Sequence, residues 1–246
     1  MGNDTDTTME TLKGRMRHAA IAKRKTVSEA ERAAAGKTLA GQAKALLAGG
    51  RPVSRGVAIR AANHDQHCIS LVAGDTVAAY VSMGTEVPTL DLLEWLLERG
   101  ARVLVPRLGA GRDIGWSEYT GQNGLREMPR TATGGLRPEE PNGEVLGPEA
   151  IENVKIVFIP AFAIDLDGTR LGRGGGWYDQ VLGLCRPDAI KVGVCWDWEC
   201  IDEHDAAPHE AHDLPVDAVI TPERSLWLHP RRTASGLGLG YEQSSR

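Results

Sequence analysis

The chain has 246 residues, 41% apolar and 25% charged, enough to bury a sizeable core beneath a polar surface. Its 28 lysines and arginines against 33 acidic residues leave a net charge of −5, which excludes a bulk positive field for recruiting nucleic acid or anionic lipid. Glycine stands out at 29 residues, about 12% of the chain against an average near 7%, while only 13 prolines and no Gly-X-Y period exclude a collagen-like or low-complexity chain.

Residues 1–11 are acidic and threonine-rich, without the basic-then-apolar order of a secretory signal, and read as a disordered leader. Residues 12–25 form a basic helical segment. Ser28-x-x-Glu31 is a capping box that opens an alanine-rich helix to about Ala48, stopped by Gly49-Gly50. A short strand is predicted at 77–82, then a helix started by Pro88 and Thr89, with Leu90, Leu93 and Leu97 on one face and Gly100 at its end. A buried-type strand follows at 102–105. Residues 109–147, with nine glycines and three prolines, read as one long irregular stretch of the kind that is functional or mobile. Strands are predicted at 154–160, 191–195 and 216–221, a short helix at 177–185, and a flexible tail at 231–246. Strands alternating with helices predict one α/β domain over 12–230 with a mostly parallel central sheet.

No apolar run approaches the roughly 20 residues needed to span a bilayer. Cys68, Cys185, Cys195 and Cys200 form no C-x-x-C pair and are too few for a disulfide scaffold, so reduced thiols in a cytoplasmic protein are expected. A monomer is expected.

The sharpest feature lies between Gly168 and Gly176, where five of nine residues are glycine, soon after a buried strand and directly before a helix. Open α/β sheets bind ligands there, beyond the carboxyl ends of their strands. Glycines let backbone N–H groups converge on an anion, and the helix dipole adds roughly 0.3–1 kcal/mol. Micromolar nucleotide affinity needs about 8 kcal/mol, so charged hydrogen bonds must supply much of the rest. Arg170 and Arg173 lie in the loop, Lys13 and Arg17 on the basic helix, and Asp179 is a carboxylate suited to Mg²⁺ beside phosphates. Gly168–Arg173 lacks the Gly-Lys-Ser/Thr ending of a Walker A loop, and the 172–177 segment fails G-x-G-x-x-G at Trp177.

The segment Gly168-Thr-Arg-Leu-Gly-Arg-Gly-Gly-Gly-Trp-Tyr-Asp179 closely resembles the signature of the 5-formyltetrahydrofolate cyclo-ligase (methenyltetrahydrofolate synthetase) family. Lys13-x-x-x-Arg17 resembles that family's amino-terminal ATP-contacting pair, with Arg24 and Ser28 following at familiar spacing. Tyr80-Val-Ser-Met-Gly-Thr-Glu-Val-Pro-Thr89, Glu140-Pro141, and Pro208-His-Glu-Ala-His-Asp213 before 216–220 continue the likeness in order, over roughly residues 12–223. The departures are Trp177 where tyrosine is common, Ile164 for a usual phenylalanine, and a longer connection at 51–76.

The resemblance implies a three-layer α/β/α architecture similar to the NagB/RpiA/CoA-transferase-like fold. It implies conversion of 5-formyltetrahydrofolate to 5,10-methenyltetrahydrofolate with ATP and Mg²⁺, giving ADP and phosphate. In that reading Lys13, Arg17, Arg170, Leu171, Gly172, Arg173, Gly174, Gly175, Gly176, Trp177 and Tyr178 hold ATP. Val81, Glu86, Arg173 and Trp177 contact the folate, Asp179 and Asp213 serve Mg²⁺, and Arg173 is catalytic. The alternatives are a non-catalytic nucleotide- or folate-binding homologue and, more remotely, a sugar-phosphate isomerase or acyl-CoA transferase on a similar fold.

His64-x-x-His67-Cys68 lacks a second Cys/His pair at zinc-finger distance and reads as a polar loop. His204, His209 and His212, with Asp205 and Asp213, sit in a proline-interrupted stretch without H-E-x-x-H geometry. Trp196 and Trp198 read equally as pocket walls or as half-buried aromatics. Lys23-Arg24-Lys25, with no interleaved aromatics, reads as a solvated helix face.

Overall fold

The computed structural model describes residues 3–48, 71–108, 114–131, 134–201, 206–208 and 213–228. Two helices open the chain, α1 (Asn3–Arg24) and α2 (Glu29–Leu47). They are followed by β1 (Thr76–Ala78), α3 (Leu90–Glu98), β2 (Arg102–Leu108), β3 (Ile114–Glu118), β4 (Leu125–Arg126) and β5 (Glu140–Pro141). The second half holds β6 (Ile156–Pro160), β7 (Ala163–Ile164), β8 (Arg170–Leu171), α4 (Trp177–Leu182), β9 (Ile190–Val194), β10 (Ala218–Ile220) and β11 (Ser225–Trp227).

Seven strands form the central sheet in the order β11-β10-β9-β6-β1-β2-β3. The five inner strands run parallel, and β3 and β11 close the two edges antiparallel. Side chains alternate between the faces with period two. Val77, Val103, Ile156, Phe158, Val192 and Ile220 point to one face, where Leu39, Leu46, Leu92, Leu93 and Leu96 of α2 and α3 cover them. Ala78, Leu104, Val157, Ile159 and Val219 point to the other, covered by Val181 and Leu182 of α4 and by Ile151 of a 3₁₀ turn. The mostly parallel sheet with helices on both faces is the α/β layering expected from the sequence.

The capping box forms: Ser28 Oγ accepts from Glu31 N, and the Glu31 carboxylate accepts from Ser28 N. Four local expectations need correction. The first helix continues back to Asn3, through most of the stretch read as a leader. Once the basic segment nucleates, each further turn adds a hydrogen bond per residue fixed. The strand expected at 77–82 stops at Ala78, because Thr89 Oγ1 donates to Tyr80 O and accepts from Ser82 N, peeling the chain off the ladder. The stretch at 109–147 is not wholly irregular: it contains β3, β4 and β5. Gly115 breaks the pattern of β3, although that strand pairs with the neighbouring β2, and β4 and β5, two residues each, are too short to show a pattern of their own. Finally, α4 ends at Leu182, with Gly183 at its carboxyl cap, leaving a six-residue helix whose dipole is correspondingly small.

Candidate active site

The sheet's carboxyl edge opens into a cavity of about 560 Å³, a size typical of small-molecule sites. Pro160 marks the end of β6 at its rim, and Tyr80 and Val81 follow the end of β1. Lys13 and Arg17 reach it from α1, Val81 and Glu86 from the loop after β1, and Asp213 from the segment before β10. Arg170, Leu171, Gly172, Arg173, Gly174, Gly175, Gly176, Trp177, Tyr178 and Asp179 complete the wall from β8 into α4. The structure thus brings together every site residue selected from the sequence.

The glycine loop is fixed from below. Asp165, almost fully buried, accepts from Thr169 N at 2.9 Å and from Ala207 N at 3.0 Å, pinning the β7–β8 hairpin. Gly168, at φ +82°, lies where any Cβ would collide with Val216 O, so this turn requires glycine. Farther along, Arg17 Nε donates to Gly172 O at 2.8 Å. The Arg17 guanidinium packs against Gly174, at φ +92°, only 3.2 Å from where a Cβ would stand. A Cβ at Gly172 or Gly175 would meet nothing within 4 Å, so the loop faces open space there.

Three ion pairs cross the cavity wall. Arg170 holds Asp179 at 2.6 Å and also donates to Leu214 O; its side chain is buried beneath the loop. Lys13 lies 3.3 Å from Asp213. Arg173 meets Glu86 at 2.8 Å, and here the partners differ sharply: the arginine side chain is 52% exposed and the glutamate 6%. The other Glu86 oxygen accepts from Met83 N at 2.9 Å. Burial pushes the phenols of Tyr80 and Tyr178 well above their ordinary range, and the negative charge of Glu86 adds to the effect. Trp177 packs on Trp116 at 5.3 Å between ring centroids and edge-on to Tyr178 at 4.9 Å. Its buried Nε1–H has no hydrogen-bond partner among the described residues.

Glycine amides, four cations and the carboxylates of Asp179 and Asp213 around one cavity are the kinds of group that hold a polyphosphate with a divalent metal. The model of the 5-formyltetrahydrofolate cyclo-ligase family matches residues 11–222. The chain belongs to that family. Among its relatives, the 5-formyltetrahydrofolate cyclo-ligase of Mycolicibacterium smegmatis is 37% identical over 163 residues, covering 63% of this chain and 77% of the relative. The Escherichia coli protein of the same name is 32% identical over 158 residues, covering 63% and 81%. The solved Aquifex aeolicus 5,10-methenyltetrahydrofolate synthetase superposes with a TM-score of 0.61 at 25% identity, covering 94% of this chain and 100% of that one. The fold is also shared with the Mycoplasma pneumoniae synthetase, at a TM-score of 0.57 and 18% identity.

Within this cyclo-ligase family member, the cavity has lining residues that the sequence reading did not select: Glu10, Tyr80, Met83, Pro106, Pro138, Glu139 and Pro160. Tyr80 and Met83 sit inside the segment quoted for its resemblance and were within reach. Glu10 falls in the stretch read as a leader, and Pro138 and Glu139 in the stretch read as irregular, where no local pattern marks a wall. The groups around His64, and His204, Asp205, His209 and His212, lie outside the described residues. Among the described residues no three His, Cys, Asp or Glu side chains gather as a metal cluster.

Proposed function

We propose that this chain is a 5-formyltetrahydrofolate cyclo-ligase that uses ATP and Mg²⁺ to close 5-formyltetrahydrofolate to 5,10-methenyltetrahydrofolate, releasing ADP and phosphate. The observation that carries the reading is the convergence of Lys13, Arg17, the glycine loop, Arg173, Glu86, Asp179 and Asp213 on a single cavity.

The substrate explains the residue types. A formamide carbon is a poor electrophile and its oxygen a poor leaving group. Transfer of the γ-phosphoryl group of ATP to the formyl oxygen gives ADP and an N5 iminium phosphate. N10 then attacks the formyl carbon and loses its proton. The C–O bond breaks, phosphate departs with the former formyl oxygen, and the methenyl bridge remains.

Phosphoryl transfer depends mainly on positioning and charge stabilisation, so this chain needs cations more than a nucleophile. Lys13, Arg17 and the amides of 172–176 hold the phosphates, with Leu171, Trp177 and Tyr178 walling the nucleotide. Arg170 acts one step back by orienting Asp179, its salt-bridge partner. Arg173, exposed and at the cavity's mouth, supplies positive charge to the phosphoryl group in flight. Val81, Glu86 and Trp177 face the folate.

Asp179 and Asp213, two of the carboxylates that line the cavity, suit Mg²⁺, which would take its remaining ligands from phosphate oxygens and water. Asp179 and Asp213 would hold it, and it would neutralise phosphate charge. Each carboxylate contacts a cation: buried Arg170 keeps Asp179 in place, and phosphates arriving on Lys13 would free Asp213.

We assign the reaction to a monomer in the cytoplasm. The described cysteines, Cys185, Cys195 and Cys200, are free thiols, in keeping with a reducing compartment. No described helix is long and apolar enough to cross a membrane. The test is to mix purified protein with 5-formyltetrahydrofolate, ATP and Mg²⁺ and follow methenyl absorbance. Absorbance should rise one-for-one with ADP and stop on chelation of the metal. Intact ATP binding with no absorbance change would instead mark a binding homologue.

A further inference from the structure

The Glu86–Arg173 pair is held from behind by a buried network outside the cavity lining. Arg24, at the end of α1, and Glu199, in the 3₁₀ turn Asp197–Glu199 after β9, are both almost fully buried. Arg24 Nε donates to Glu199 Oε1 at 2.7 Å, and Arg24 Nη2 donates to Glu199 Oε2 at 2.8 Å and to Ala161 O at 2.6 Å. Glu199 Oε2 also accepts from Trp196 N at 3.0 Å.

Two arms run from this pair toward the site. Along one, Trp196 Nε1 donates to Thr85 O at 3.0 Å, fixing the residue next to Glu86. Along the other, the Arg24 guanidinium lies 4.4 Å from the Phe162 ring centroid, and the Arg173 guanidinium reaches the same ring at 5.8 Å. The sequence reading placed Lys23-Arg24-Lys25 on a solvated face; Arg24 instead turns inward.

A buried Arg–Glu pair is poor evidence for stability, because its desolvation cost offsets much of the attraction. Its distinctive contribution is directional: a fork with every oxygen engaged admits one geometry. We propose that Arg24, Glu199 and Trp196 are positioning residues that set the Thr85–Glu86 turn, and through it Arg173, for the folate half of the reaction. The proposal rests on the cyclo-ligase reading. It goes further in dividing the site into a nucleotide half, carried by α1 and the glycine loop, and a folate half that depends on this network.

The deciding experiment is calorimetric titration of wild-type protein and of Trp196→Phe, Arg24→Lys and Glu199→Gln with 5-formyltetrahydrofolate and separately with ATP and Mg²⁺, alongside Tm. Trp196→Phe removes the indole N–H and leaves a smaller aromatic ring beside Trp198, on which Trp196 stacks at 5.0 Å between centroids. Folate affinity should fall roughly tenfold, the scale of a lost hydrogen bond with reorientation of the turn, while ATP affinity stays within about twofold. Arg24→Lys and Glu199→Gln should show the same split. Equal weakening of both ligands, unchanged folate affinity in a folded variant, or failure of all three variants to fold would reduce the network to a structural role and overturn the proposal. A wild-type protein that binds ATP but no 5-formyltetrahydrofolate would overturn the cyclo-ligase reading itself.

Discussion

Arg173 is half exposed, whereas its partner Glu86 is almost completely buried, so removing the arginine acts unequally on activity and on folding. An exposed ion pair contributes little by itself. The buried carboxylate left behind would keep its bond from Met83 N and lose the other, a cost of about 1–3 kcal/mol. Loss of a cation aimed at a developing charge costs about 100-fold or more in turnover. Arg173→Ala is therefore expected to fold with a Tm lowered by a few degrees and to turn over at least about 100-fold more slowly, as steady-state kinetics and a thermal melt would show. Near-normal turnover would remove Arg173 from the reaction. At the same scale, glycine enrichment alone does not separate the roles of the five loop glycines. Gly168 is required by a close approach to Val216, whereas Gly172 and Gly175 border open space. The first condition depends on a backbone oxygen 48 residues away and has no local signature.

Among the elements, the parallel strands β1 and β6 enter the sheet side by side, and a salt bridge ties their entry points, Lys155 Nζ to Asp75 at 2.8 Å. Burial alone would raise the Asp75 carboxyl, but the Lys155 ammonium and a bond from Val72 N hold it below its ordinary value. A carboxyl lowered on folding adds stability above its unfolded pKa and loses that contribution as pH falls through the folded value. Denaturant midpoints measured across the acid range should accordingly fall below about pH 4 in the wild type and fall less steeply in Asp75→Asn. Some elements were legible through local signals: α2 through its capping box and glycine stop, α3 through its leucine spacing, and β6 through an unbroken apolar run. Strands β3, β4, β5 and β11 were not legible, because none carries an apolar run of its own and each is defined by the strand it pairs with. The candidate site was more legible than the fold around it, since Lys13, Arg17, the glycine loop, Glu86 and Asp213 belong to short motifs with distinctive chemistry. Among its other walls, Pro106, Pro138 and Glu139 are residues that only the assembled fold brings near.

For the whole molecule, the buried phenols set an alkaline limit. Burial raises Tyr80, Tyr119 and Tyr178, so in the folded protein each keeps its proton above the pH at which an unfolded tyrosine ionises. Above about pH 10 the unfolded chain then binds fewer protons than the folded one, and stability falls as pH rises. Melting temperatures should drop across pH 9–11, with the phenolate absorbance of these three tyrosines appearing together with unfolding and not before it.

The same assembled core delivers α1, the Tyr80–Thr89 segment and the glycine loop to one cavity, where the proposed reaction transfers phosphate to the formyl oxygen. Labelling that oxygen with ¹⁸O in 5-formyltetrahydrofolate and analysing the released phosphate by mass spectrometry tests it directly. One ¹⁸O per phosphate formed is the expected result. Phosphate free of label, with methenyl product still accumulating, would contradict it.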